Sequence, residues 1–361
     1  MSASLEKGRQ FPCLACGADA VFDIATQHLR CDFCGSIREL SVDGELSPEE
    51  QDYHETLSRL AELRNDEEEV TAFKEVACDD CGARIRFQGT LTSSECAYCG
   101  APHQIDNVHE AESRVPTDGV LPFKVTRDAA REAFRKWVRS RWFAPNDFKK
   151  RSDQGQFNGV YTPYWTYDSM TMNQYEGMRG DHYYVSVGSG KNRRRVRHTR
   201  WSPASGTFSR FFDDVLAVAA RGLPDGWLKK LEPWPLQSCR PYRPEFLSGF
   251  QARTYDIPLD EGFVDAKAQI DAALRSDVRG RIGGDVQQVH SIDTRYEAMT
   301  FTHLLLPVWM MVLRYRNKPF QIVINAATGE VQGARPVSWV KITLAILAVA
   351  VTIGAIVVLK R

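Results

Sequence analysis

Cys13-Leu14-Ala15-Cys16-Gly17 is followed by Cys31-Asp32-Phe33-Cys34-Gly35, and Cys78-Asp79-Asp80-Cys81-Gly82 by Cys96-Ala97-Tyr98-Cys99-Gly100. In both copies fourteen residues separate the second cysteine from the third, and eight of the chain's nine cysteines are used. A C-x2-C places two thiolates on one tight turn. Two such knuckles facing each other supply the four sulfurs of a closed tetrahedral Zn²⁺ site. The glycine after each pair stands where the backbone must turn through positive φ so that amide N–H groups point at sulfur. The expectation is two structural zinc ions, one held by Cys13, Cys16, Cys31 and Cys34, the other by Cys78, Cys81, Cys96 and Cys99. Four thiolates leave no open position for water or substrate, so these sites stabilise rather than catalyse.

Between the knuckles, Ala20 to Arg30 and Arg84 to Glu95 have the length of a short hairpin. Val21-Phe22 and Ile85-Arg86-Phe87 supply strand residues at matching offsets. His28 and His103 read as surface histidines beside complete ligand sets. Each unit is too small for a core of its own, so metal binding supplies most of its folding energy. Both units resemble zinc ribbons of the rubredoxin-like and transcription-factor-IIB-like type, which implies a fold and names no partner.

Zinc-loaded thiolates persist where cysteine is kept reduced, which places this part of the chain in the cytosol. Met1 to Gln10 is polar and charged, without the apolar core of a signal peptide. The ninth cysteine, Cys239, has no conspicuous histidine or acid beside it and reads as a lone thiol rather than a nucleophile.

At the other end, Ile342 to Leu359 runs for eighteen residues without a charge, between Lys341 and Lys360-Arg361. At 1.5 Å per residue that is about 27 Å, close to a bilayer's hydrocarbon thickness. Trp339 and Lys341 suit an interface. The expectation is a single-pass membrane protein with a C-terminal anchor over 340–359 and its bulk in the cytoplasm.

The 361 residues leave room for two or three domains, and a net charge of zero gives no whole-chain bias toward polyanions. Ser47-Pro48-Glu49-Glu50 reads as a capping box opening a helical spacer over 47–75, with Tyr53, Leu57 and Leu60 as its apolar stripe. From Pro116 two stretches look alike. Strand Val120 to Val125, a helix opening at Thr126 or Asp128 with Ala130, Phe134 and Trp137 on one face, and Pro163-Tyr164-Trp165 make the first. A strand near Leu259, a helix with Phe263, Lys267, Ile270 and Leu274 in register, and Pro307-Val308-Trp309 make the second. Further hairpins follow each, with Ala327 to Glu330 as a turn. The predicted fold class is multidomain α+β: two small rubredoxin-like zinc ribbons (11–41 and 76–107), the helical spacer, an α+β domain (116–335) whose halves (116–220 and 255–335) read as loosely related, and one transmembrane helix.

No catalytic constellation is present. Gly188-Ser189-Gly190-Lys191-Asn192 lacks both the first glycine of a phosphate loop, Val185 standing there, and its hydroxyl, replaced by Asn192. Asp79-Asp80 and Asp213-Asp214 read as solvated pairs. The chain is expected not to be an enzyme and to have no small-molecule substrate. The dense basic run holds Lys191, Arg193, Arg194, Arg195, Arg197 and Arg200. It has three readings: protection of a sheet edge, contact with anionic lipid, or contact with nucleic-acid phosphate.

The two cysteine sets, Tyr161-Thr162-Pro163-Tyr164-Trp165-Thr166-Tyr167-Asp168, Tyr175-Glu176-Gly177-x-Arg179-Gly180 and the C-terminal run together resemble a bacterial family of membrane-anchored double-zinc-ribbon proteins. Its members are often labelled primosomal protein N′ (replication factor Y)-like. This chain lacks the nucleotide-binding motifs of a helicase. The resemblance implies instead a tethered partner of cytosolic scaffolds of the flotillin-like or phage-shock type. Two function classes follow: an adaptor holding a cytosolic protein at the membrane, or a membrane-attached nucleic-acid binder linked to replication or transcription. Neither ribbon is basic, which favours the adaptor.

Overall fold

A computed structural model of the chain describes residues 11–40, 47–63, 74–77, 84–86, 93–95, 102–104, 109–110, 115–151, 155, 157–189, 193–221, 226–316 and 318–359. The N-terminal knuckles carry β1 (Ala20–Asp23), β2 (His28–Cys31) and β3 (Ile37–Arg38), a separate three-stranded antiparallel sheet. Next come β4 (Gln51–Asp52), α1 (Tyr53–Leu63), β5 (Lys74–Ala77), β6 (Arg84–Arg86), β7 (Ser93–Glu95), β8 (Pro102–Gln104) and β9 (His109–Glu110). The remainder is β10 (Gly119–Val120), α2 (Arg127–Ser140), α3 (Asn146–Arg151), β11 (Asn158–Val187), β12 (Arg194–Val218), β13 (Arg240–Pro241) and β14 (Gln251–Arg253). It continues with α4 (Leu259–Ile282), β15 (Val286–Tyr315), β16 (Lys318–Asn325), β17 (Val331–Gly333) and α5 (Trp339–Leu359).

One twelve-stranded mixed sheet dominates, built on β11 and β15, which run antiparallel for most of their 30 residues each. The two halves legible in the sequence are interlocked within this sheet. Short β10 of the first half pairs parallel with β15 at Leu304 and Leu305, and short β14, just ahead of the second half, pairs parallel with β11 at Val160 and Tyr161. The prolines mark equivalent switch points. On β11, Pro163 lies between the end of β14 and the start of β12; on β15, Pro307 lies between β10 and β16. A residue that cannot donate to a ladder is tolerated where the neighbouring strand changes. The carbonyls of Pro163 and Pro307 accept from Ala219 and Ala326 at 3.1 and 3.0 Å. The Ala219 carbonyl accepts from Asp256 and Ile257, as that of Ala326 does from Lys124 and Val125. Trp165 and Trp309 donate from Nε1 to the carbonyls of Ile257 and Val125, just ahead of α4 and α2. The halves therefore share an internal two-fold pattern of backbone hydrogen bonds.

Beyond this centre β11, β12 and β15 continue as a three-stranded arm. At about 3.3 Å per residue a 30-residue strand spans roughly 100 Å. From Ser169 to Gly177 the odd residues of β11 are buried, whereas Met172, Gln174 and Glu176 face out. The buried face is covered by α4. Its Leu259, Gly262, Ala266, Ile270, Leu274, Val278 and Ile282 recur every three or four residues and are all buried. Phe212 meets Ile270 and Leu274, and Tyr175 meets Val278 and Ile282.

Several expectations are corrected. The fold is mostly one β-sheet rather than a multidomain α+β assembly, because β11 and β15, one from each half, pair along most of their length in a single sheet. The first helix of the domain is where it was expected, with Thr126 Oγ1 accepting from Ala129 N at 3.3 Å and Ala130, Phe134 and Val138 buried. The spacer helix instead starts at Tyr53. Gln51 and Asp52 pair with Phe301 and Thr300 as a strand, and Asp52 Oδ1 takes the Glu55 N–H at 2.8 Å, replacing Ser47 as the cap. Its Tyr53 packs on Tyr167 and Phe263 of the sheet domain, not on a ribbon. In the second cysteine unit β6 pairs with β5 and β14, and β7 with β8, in place of a hairpin over Arg84 to Glu95.

The transmembrane expectation is also overturned: among the described residues no helix is long and apolar enough to cross a membrane. Helix α5 does form. It runs over Trp339–Leu359, and near its start Lys341 Nζ donates to the Trp142 and Ala144 carbonyls and to Asn146 Oδ1. A single-pass C-terminal anchor is not supported.

Candidate metal centre and exposed surfaces

The sulfurs of Cys13, Cys16, Cys31 and Cys34 lie within 4.8 Å of one another, so these four residues could hold one metal ion. Cys13 Sγ is 3.5 Å from Cys34 Sγ, and Cys16 Sγ is 3.6 Å from Cys31 Sγ. A tetrahedron of sulfurs about 2.3 Å from a central ion has edges of about 3.8 Å, so the donor set fits. The knuckles are built alike. Gly17 N donates to the Cys13 carbonyl and Gly35 N to that of Cys31, both at 2.8 Å. Their φ angles are +71° and +73°, and nothing lies within 4 Å of a Cβ added at either. Glycine is thus required there by backbone conformation alone.

Sequence reasoning missed Ser36. Its Oγ sits 2.9 Å from Cys13 Sγ and 3.1 Å from Cys34 Sγ. The hydroxyl has one proton within reach of both sulfurs, and its hydrogen bonding is the largest cause lowering the Cys13 pKa to about 6 and lowering that of Cys34. The one sequence signal is the residue after the knuckle glycine, which is Ser36 in this copy and Ala101 in the other. His28 is not a ligand: its Nδ1 accepts from Leu40 N at 3.2 Å. Cys78, Cys81, Cys96, Cys99 and Lys191 lie outside the described residues.

One side of this unit is welded to the large sheet. Phe22 packs on Phe246 at 5.5 Å between centroids, Ser248 Oγ donates to the Ala20 carbonyl, and Gln27 Nε2 donates to that of Phe123 at 2.8 Å. The opposite side shows apolar groups to solvent. Leu14 inside the first knuckle is 88% exposed, and Phe33 inside the second is 81% exposed. Ile37 on β3 is also exposed.

Cys239 is buried, and burial pushes its thiol up to about 12, which suits a packed thiol and not a nucleophile. Asp213-Asp214 is not a fully solvated pair. Asp214 sits at φ +52° in a bulge of β12, where Asp213 and Asp214 face the single residue Asp168 of β11, and it donates its N–H to Asp168 Oδ1 at 2.6 Å. Asp168 is buried, and its pKa is raised to about 7, first by desolvation and then by Glu50, Asp214 and Asp213. Asp118, which accepts from His303 N and Gln51, is raised by burial to about 6. The described arginines of the basic run fall on the start of β12 at the free end of the arm, all exposed.

No family model matches this chain, and no solved structure matches it. It is similar to a Bacillus subtilis (strain 168) protein described as uncharacterized protein YdjG, at 24% identity over 349 residues, covering 91% of this chain and 90% of that relative.

Proposed function

We propose that this chain is a non-catalytic zinc-ribbon adaptor, which presents the outer knuckle surface of a rigidly docked ribbon to a protein partner. The observation that carries this reading is the exposure of Leu14 and Phe33 beside the four-cysteine cluster. Each occupies an x position of its C-x2-C, so the metal that folds the ribbon also fixes how far apart the two side chains stand. Large apolar groups so exposed on a small rigid unit fit a partner's apolar face. The metal is zinc, because a four-thiolate set suits its tetrahedral, redox-inert coordination. The second set, with the same spacing and knuckle glycines, takes a second ion. When bound, the zinc supplies folding energy and no chemistry on a substrate.

The test places a photo-crosslinking amino acid at Leu14 or Phe33 in cells, with Arg131 on α2 as the control position. A single discrete protein adduct at Leu14 and Phe33 that is absent at Arg131 is expected. It should disappear in a Leu14→Ser/Phe33→Ser chain that still carries about two zinc ions by elemental analysis. Equal adducts at all three positions, or a preparation without zinc, would overturn the reading.

A further inference from the structure

We infer that the free end of the β11–β12 hairpin is a binding surface for single-stranded nucleic acid. From His182 to Ser209 the chain has no Asp or Glu and six Lys or Arg. Pairing with β15 stops at Gly180–Val286, so beyond that point the hairpin is two strands wide. It continues as far as Val187–Arg194.

Cross-strand register sorts the side chains by face. Gly180 opposes Trp201, Tyr184 opposes Arg197, and Ser186 opposes Arg195 on one face. Asp181 opposes Arg200 and Tyr183 opposes His198 on the other. Both faces thus carry rings next to arginines. Arg195 lies 4.9 Å over the Tyr184 ring and Arg200 5.6 Å over Tyr183, while His198 stacks on Tyr183 at 5.5 Å. Tyr183, Tyr184 and Trp201 remain well exposed. On the face with Tyr184, Arg195 and Arg197 are two residues, or about 6.7 Å, apart along one strand. A row of guanidinium groups beside exposed rings offers phosphate contacts and base-stacking platforms together, the combination that single strands use. Paired bases of a duplex would leave the rings idle.

An anionic bilayer is the other polyanion to weigh, and the order of residues disfavours it. A membrane-dipping hairpin carries its large apolar groups at the turn. Here the last rung is Val187–Arg194 with Gly188 and Ser189 after it, and the rings lie further back along the stem. They could not reach below the headgroups without burying the arginines first.

Fluorescence anisotropy of the full chain with a labelled 20-nucleotide oligo-dT is the experiment. Binding should weaken as salt rises, with a log–log slope of about −2 to −3, as expected for three or four phosphates on a single strand. Arg193→Gln/Arg195→Gln/Arg197→Gln should flatten the slope and cost tenfold or more. Tyr184→Ala/Trp201→Ala should cost on the order of tenfold while the slope stays unchanged. Melting curves matching the parent chain confirm that either variant is folded, and a single variant that melts early is replaced by Arg195→Gln or Tyr184→Ala alone. No oligonucleotide binding, or binding indifferent to both variants, overturns the inference. So does binding to phosphatidylglycerol vesicles, lost in the arginine variant, in the absence of oligonucleotide binding.

Discussion

Asp168 shows how one buried carboxylate sets a pH dependence. It lies under the sheet centre with Glu50, Asp213 and Asp214 as its acidic neighbours, and its pKa rises from the ordinary 3.8 to about 7. A raised folded-state pKa means that the folded chain holds this proton more tightly than the unfolded chain does. The stabilisation is complete at acid pH and is lost as pH climbs from about 4 toward 7. Asp118, raised to about 6, acts in the same direction. Asp168→Asn keeps an oxygen for the Asp214 N–H but removes the titration. It should therefore raise the melting temperature at pH 8 more than at pH 5.5. A variant and parent whose melting temperatures differ equally at both pH values would show that Asp168 ionises normally. Ser36 acts at the same scale. Ser36→Ala removes the hydroxyl within hydrogen-bond reach of Cys13 and Cys34 and should weaken metal retention roughly tenfold in a chelator competition, in line with other outer-shell ligand partners.

At the scale of elements, the contact of α4 with the sheet depends on a missing side chain. A Cβ at Gly262 would stand 2.6 Å from Trp165 Cδ1 and 2.7 Å from Tyr167 Oη. The helix can sit this close because Tyr167 donates to the Leu259 carbonyl at 2.6 Å and Trp165 to that of Ile257 at 3.0 Å. Alanine has higher helix propensity than glycine, so an isolated helix would gain from the change. In the folded chain the overlap with two buried rings should win, and Gly262→Ala should cost about 1–3 kcal/mol in urea unfolding. Gly280 on the same helix has open space around it, so Gly280→Ala should be neutral or stabilising. The same sign for both substitutions would contradict the packing described here.

For the whole molecule, the ribbon and the sheet are joined but differ in what holds them up. The sheet has its own core: Phe123, Tyr161, Trp309, Phe250 and Ile324 pack without help from metal. The ribbon contributes Ala20, Phe22, Leu29 and Leu40 to that cluster, with Phe11 and Ile24 packed against it, and it has no buried cluster of its own among the described residues. Zinc in such units is worth on the order of 10 kcal/mol of folding free energy. Chelation should therefore release amide-exchange protection over residues 20–31 while residues 304–310 stay protected. Simultaneous loss at both would mean that the sheet cannot stand without the docked ribbon. Because Phe22 would leave the ring of Phe246, a modest fall in the sheet's melting temperature is expected alongside.

Much of the local chemistry was legible in the sequence. The C-x2-C spacing and its glycines located the first metal centre, since four sulfurs on two tight turns have few other geometries. Thr126 and the apolar residues after it placed α2, and the paired Pro-x-Trp segments marked the two places whose backbone hydrogen bonds match. These signals are carried by neighbouring residues and survive in any tertiary setting. Only the tertiary structure showed that β10 joins β15 and β14 joins β11, because no local pattern records which distant strand a two- or three-residue strand will join. It also merged apparent hairpins into β12. Pro203 sits within it because, among the described residues, β12 pairs only with β11, and an edge strand tolerates a missing donor. The terminal apolar run read as a bilayer span from composition and length, whereas among the described residues no helix is long and apolar enough to cross a membrane. Asp168 and Ser36 were invisible in the sequence: burial and a shared thiolate pair are properties of the assembled sheet and the closed knuckle, and no run of adjacent residues encodes them.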